Sequence, residues 1–157
     1  MNISPSCSVS HLANIVGNLV AGENCRIDPF VTITGNVTIG DNVHIGVGVC
    51  IFGGGGVTIG DKVSLSPGCK IFSATEDPDS GHLSNPTLPD HKAKSAPVRI
   101  GHRSIVGANS VVMPGVSIGD DVQIGALSFV RADVLKSSIV AGIPVHKLRD
   151  KPKLVAV

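Results

Sequence analysis

The sequence predicts an all-β chain wound into a regular prism of short parallel strands, and three observations carry that expectation. Aliphatic residues recur every six positions: Ile15, Ala21, Ile27, Ile33, Ile39, Ile45 and Ile51, then Ile59, Leu65 and Ile71, then Ile100, Val106, Val112, Ile118, Ile124 and Val130. A second series four residues later is small or β-branched, running Leu19, Cys25, Val31, Val37, Val43 and Val49, then Val63 and Cys69, then Ser104, Ser110, Val116, Val122 and Ser128. The chain is 42% hydrophobic with no Trp or Tyr and only four Phe, so its core must come from Ile, Val and Leu in thin, similar layers.

A period of six fits neither an α-helix nor one long alternating strand. It fits a strand of a few residues followed by a corner, with the aliphatic residue inward on each side of the prism. Gly, Asn and Asp supply the corners in "IGDN" (39–42), "IGDK" (59–62) and "IGDD" (118–121). Three sides make a coil of about eighteen residues, and coils stacked at ~4.8 Å satisfy their backbone groups through parallel ladders. The 157 residues therefore read as one domain, with repeats at about 9–71 and 98–135, an extruded loop at 73–97 and a C-terminal tail at 136–157.

Two interruptions break the period. Between Ile51 and Ile59 the spacing is eight, and the additional residues lie in "GGGG" (53–56), which reads as a corner bulge. No Lys-Ser or Lys-Thr follows at the spacing a phosphate-binding Walker loop needs. The second interruption is "FSATEDPDSGHLSNPTLPDHKAKSAP" (72–97), a long insertion of the kind that is usually functional. Its prolines, Pro78, Pro86, Pro89 and Pro97, restrict the chain and predict an ordered arm reaching toward a neighbouring subunit.

A net charge of +1 offers no field for nucleic acid or a membrane surface. The first twenty residues hold no Lys or Arg and no unbroken apolar run, so a soluble cytoplasmic protein is expected. Cys7, Cys25, Cys50 and Cys69 lack the close pairing of a zinc site, and Cys25 and Cys69 occupy repeat positions, which reads as small buried residues rather than metal or redox groups. No metal is expected.

The repeat closely resembles that of the hexapeptide-repeat proteins, over roughly residues 9–135. The resemblance implies a left-handed parallel β-helix of triangular section, a hand opposite to the general crossover rule. "KIFSATEDP" (70–78) resembles a segment of maltose, galactoside and related sugar acetyltransferases whose His is the general base; an ungapped reading puts Glu76 there. The stretch is still more similar to acyltransferases of bacterial surface-polysaccharide gene sets, which carry an acidic pair, then Ser-Gly and Asn-Pro. Here these are "FSATED" (72–77), "SG" (80–81) and "NP" (85–86). Acyl transfer needs a positioned acceptor, a base and an oxyanion donor. Glu76, Asp77 and His82 are the candidate bases: a carboxylate serves if burial or a like charge lifts its pKa, and an imidazole titrates nearest neutrality without help. The substrate's own phosphate is a further possibility. Outside the resemblance, Glu-Asp-Pro-Asp is an ordinary solvated turn and a loop His an ordinary surface residue.

The resemblance extends to "IVGANSVVMPGVSIGDDVQIGALSFV" (105–130) and "AGIPVHKL" (141–148), the region where this family holds acetyl-CoA in a groove between two prisms. Ala108 and Ala126 match positions whose small side chains let the cofactor approach. Arg131-Ala132 stands where the family commonly has Thr-Lys, and His146 replaces the usual base; Arg131, His146, Lys147 and Arg149 are the candidate contacts to its phosphates, with solubilising surface charge as the alternative. The resemblance thus implies an acetyl-CoA-dependent acetyltransferase acting on a hydroxyl or amino group of a sugar or nucleotide-linked sugar, working as a homotrimer, with a role in surface polysaccharide biosynthesis. Two other classes share the fold: a non-catalytic scaffold, which has no reason to interrupt its own core with a polar arm, and a carbonic-anhydrase-like metal enzyme, which needs closely spaced His that His11, His44, His82, His91, His102 and His146 do not provide. Serine acetyltransferases are similar in the prism alone and carry a helical N-terminal domain.

Overall fold

The computed structural model describes residues 1–82, 85–89 and 91–152; positions 83, 84 and 90 of the arm and 153–157 of the tail lie outside the described residues. The inward aliphatic positions stack on three walls of parallel strands. On the first wall Ile15, Ile33, Ile51, Ile71, Val112 and Val130 are successive partners. The second carries Ile3, Ala21, Ile39, Ile59, Ile100 and Ile118, with a bridge on to Val134. The third carries Val9, Ile27, Ile45, Leu65, Val106, Ile124 and Val140. Ile33, Ile45, Ile51, Leu65 and Ile71 are essentially sealed from solvent, and each such side chain contributes roughly 1.5–3 kcal/mol of burial.

The corners explain the second series. Residues following the inward position adopt left-handed backbone in coil after coil, Asn24, Asn42, Lys62, Arg103 and Asp121 along one edge and Phe30, Asn109 and Leu127 along another. The edge between the first and second walls is gentler. The strands Asn14–Ala21, Thr32–Ile39 and Cys50–Ile59 run straight through it. Gly35 is required there, because a Cβ would lie 2.5 Å from the Gly53 carbonyl of the next coil.

The Cys and Ser members of the second series, and Cys7 one coil before Cys25, do more than fill space. Cys7 Sγ donates to Gly22 O at 3.0 Å, Cys25 Sγ to Gly40 O at 3.1 Å and Cys69 Sγ to Gly107 O at 3.0 Å. Ser104 Oγ donates to Gly119 O at 2.9 Å and Ser110 Oγ to Gly125 O at 3.0 Å in the same manner. Each satisfies a corner carbonyl of the adjoining coil. Burial pushes the Cys25 and Cys69 thiols up, which keeps them protonated and able to donate.

On the outside of the third wall Asp28 is 7% exposed. It accepts from Arg26 Nε at 2.6 Å and His44 Nε2 at 2.8 Å. Desolvation alone would raise its carboxyl, but these donors hold it below its ordinary 3.8.

The coil continues past the last aliphatic repeat. Ile139 and Val140, in Ser138–Gly142, pair with Gln123 and Ile124. After the cis Ile143–Pro144 bond the strand Val145–Asp150 folds back antiparallel on Ser138–Gly142 and covers the end of the third wall. Among the described residues no helix is long and apolar enough to cross a membrane.

Candidate active site at the foot of the arm

The chain leaves the prism after Phe72 and rejoins the second wall at Val98–Ile100. Its first and last residues form an antiparallel hairpin, Ala74–Glu76 against Ala93–Ser95, with Thr75 opposite Lys94 and Glu76 opposite Ala93. Ser73, fully buried, anchors the base. Its Oγ donates to Phe52 O at 2.9 Å and accepts from Gly55 N at 2.9 Å. The glycine run is the seat of this hairpin: a Cβ on Gly55 would meet Ser73 O at 2.3 Å and Ser95 Oγ at 2.7 Å. Phe52 and Phe72 stack beside it with centroids 4.9 Å apart and planes at 15°.

Beyond the hairpin the arm is held by short-range bonds. Asp77 caps the one-turn 3-10 helix Pro78–Ser80, its Oδ1 accepting from Asp79 N at 3.1 Å. Ser80 Oγ donates to Asp77 O at 2.8 Å and accepts from His82 N at 3.2 Å. His82 Nδ1 lies 2.8 Å from the Ser80 carbonyl. A carbonyl can only accept, so Nδ1 donates this bond, and the exposed ring leaves Nε2 as its second nitrogen. The three candidate bases thus stand in different circumstances: Glu76 is an exposed hairpin residue, Asp77 is engaged as a cap, and His82 is exposed with only Nδ1 held by the Ser80 carbonyl among the described residues.

Thr75 and Lys94 of the hairpin meet Met113, Pro114, Phe129 and Arg131 of the late coils around a cavity of about 420 Å³. Arg131 therefore stands with the arm. His146 and Lys147 line a separate cavity of about 230 Å³ with Ala132, Val134 and Val145, and Lys147 is tied to Asp150 by an ion pair of 2.5 Å. Ala108 and Ala126 lie along the corner that carries Leu127, whose N–H donates to Ala108 O at 2.8 Å. Leu12, Phe30 and Val47 lie along the same edge in earlier coils, and with Leu127 they are between 44% and 66% exposed.

Residues 22–53 and 97–132 match the bacterial transferase hexapeptide (six repeats) family. A dTDP-4-amino-4,6-dideoxy-D-glucose acyltransferase of Escherichia coli is 33% identical over 97% of this chain and 83% of its own length. The chain belongs to the hexapeptide-repeat acyltransferases. AntD, an N-acyltransferase from Bacillus cereus solved with dTDP and 3-hydroxybutyryl-CoA, superposes with a TM-score of 0.90 at 31% identity, over 95% of this chain and 82% of its own. Galactoside O-acetyltransferase of Escherichia coli strain K12 is 39% identical over a shorter stretch, 36% of this chain and 28% of its own.

In this acyltransferase the sequence pointed to the arm as the place where side chains gather, but not to the partners that complete its foot. Thr75, Met113 and Phe129 lie inside stretches that resemble the family without a role attached to them, and Lys94 lies outside any of those stretches. Lys94 faces Thr75 only through the antiparallel register, which residue spacing does not reveal.

Proposed function

We propose that the chain transfers an acyl group from acyl-CoA to an amino group of a nucleotide-linked sugar, with His82 as the general base. The observation that supports this most is the bond of His82 Nδ1 to the Ser80 carbonyl, which holds the exposed ring and leaves Nε2 as the nitrogen to accept the proton. The acceptor amine attacks the thioester carbonyl, Nε2 takes the amine proton, the C–S bond breaks and the thiolate of CoA is protonated as it leaves. The similar Escherichia coli protein is named for an amino sugar, and AntD is an N-acyltransferase, which favours nitrogen over oxygen as the acceptor and accommodates acyl groups larger than acetyl. Acyl-CoA supply places this work in the cytoplasm, and a role in surface polysaccharide biosynthesis fits an activated sugar acceptor.

The functional unit in this reading is a homotrimer, with acyl-CoA lying in the groove beside Ala108 and Ala126. The exposed Leu12, Phe30, Val47 and Leu127 on that corner are apolar surface that a neighbouring prism covers. Arg149, together with His146 and Lys147 on the closing strand, stands at the end of the groove where the cofactor's phosphates would lie.

The test is thiol release from acetyl-CoA and 3-hydroxybutyryl-CoA against free sugars and sugar nucleotides with and without amino groups. Turnover confined to nucleotide-linked amino sugars is expected. Turnover on free sugars alone, or none together with no binding of CoA, would overturn the reading. Sedimentation is expected to give a trimer.

A further inference from the structure

We infer that the cavity at the foot of the arm is a seat for a nucleoside diphosphate, clamped by Lys94 and Arg131 and walled by Met113 and Phe129. The inference rests on the nucleotide-linked acceptor proposed above and assigns the residues that would recognise it. Lys94 enters from the arm strand Ala93–Ser95 and Arg131 directly follows the late-coil strand Phe129–Val130, so two cations from separate parts of the chain share one cavity. Among the described residues no carboxylate lines it.

Among the described residues neither cation has an ion-pair partner, whereas Arg26, Arg103 and Lys147 are paired with Asp28, Asp121 and Asp150. The larger trough along the second wall, about 810 Å³, offers the opposite case. There Arg99, His102 and Lys136 are offset by Asp61, Asp120 and Asp133. Two uncompensated cations beside a thioether and a phenyl ring match a ligand with a doubly charged head and a flat apolar base. The volume lies within the roughly 300–1,000 Å³ usual for small-molecule sites.

A nucleoside diphosphate could come from the acceptor or from CoA, which carries one of its own. The geometry favours the acceptor, because half of the clamp is built on the arm itself. Lys94 faces Thr75, the next rung is Glu76 with Ala93, and the Asp77 cap and His82 follow. A sugar hanging from a diphosphate held there shares a rigid support with the proposed base.

Calorimetric titration of the full chain with dTDP, UDP and CoA separates the sources. Lys94→Met and Arg131→Met keep the aliphatic stems and remove the charge at exposed positions. Each is expected to weaken dTDP or UDP binding about tenfold, to leave CoA binding within about twofold, and to raise KM for the sugar nucleotide while kcat holds. The seat is overturned if the wild type binds neither diphosphate, if the variants bind them as the wild type does, or if the loss falls on CoA alone. Binding is read without turnover, so a wild type that loses diphosphate with these variants yet transfers no acyl group keeps the seat and sinks the activity.

Discussion

At Phe72 two kinds of structure meet. In the prism a residue's partners lie one coil away, as where Val122 N donates to Ser104 Oγ across eighteen positions. In the arm beyond its hairpin they lie two or three positions away: Asp79 with Asp77, Ser80 with Asp77, His82 with Ser80, Thr87 with Asn85. A coil is held by copies of itself above and below, and the arm by its own turns above a glycine seat. Changes in the prism should therefore register as stability, and changes in the arm as chemistry.

The sharpest way to break that contrast is His82→Ala. It should lower kcat by about 10²–10⁴-fold while thermal denaturation matches the wild type, because the ring is exposed and, among the described residues, bonded within the arm. A loss below about threefold would move the base to Glu76 or Asp77, which Glu76→Gln and Asp77→Asn then separate.

Ile51→Ala is the converse case. The side chain is 0% exposed between Ile33 and Ile71, and its truncation should cost about 2–5 kcal/mol in denaturant unfolding. A cost under about 1 kcal/mol would mean that the coils do not unfold as one core.

Gly55→Ala tests the joint between the two regions. The new Cβ meets Ser73 O at 2.3 Å, so the hairpin must shift, and acyl transfer should fall about tenfold to 10²-fold. Its thermal shift should be smaller than that of Ile51→Ala. An equal loss of stability would show that the arm is part of the core.

The smallest effect belongs to Asp28. Its folded carboxyl lies below the ordinary 3.8, so it stabilises the fold above that pH, and the contribution is lost as pH falls through the acid range. With Arg26 69% exposed, Asp28→Asn should cost only about 1 kcal/mol near neutrality. The gap between variant and wild type should close as unfolding is followed from pH 6 toward pH 2 or 3; a gap that widened instead would contradict the sign.

The walls were legible in the sequence because one register repeats for most of the chain, and each inward residue from Ile15 to Val130 falls where its period puts it. The last coil was not, since Val134 and Val140 follow Val130 at irregular spacing and are placed by pairing with Ile118 and Ile124. "GGGG" could be read as a bulge but not as a seat, because the atoms it makes room for, in Ser73 and Ser95, lie far along the chain. In the same way Arg131 was grouped with His146, Lys147 and Arg149 by resemblance, while the cavities separate it from His146 and Lys147. Function-bearing positions outside the repeat depend on which segments meet, and periodicity is silent on that.

The strand Val145–Asp150 also decides how the molecule meets others of its kind. A stack of parallel coils ends in unpaired amides and carbonyls that could template another stack and extend into a fibre. Here the last parallel strand is covered by one running the other way, whose outer edge carries Lys147, Arg149 and Asp150. On that wall, direction and charge together present a poor match to the open end of a second prism.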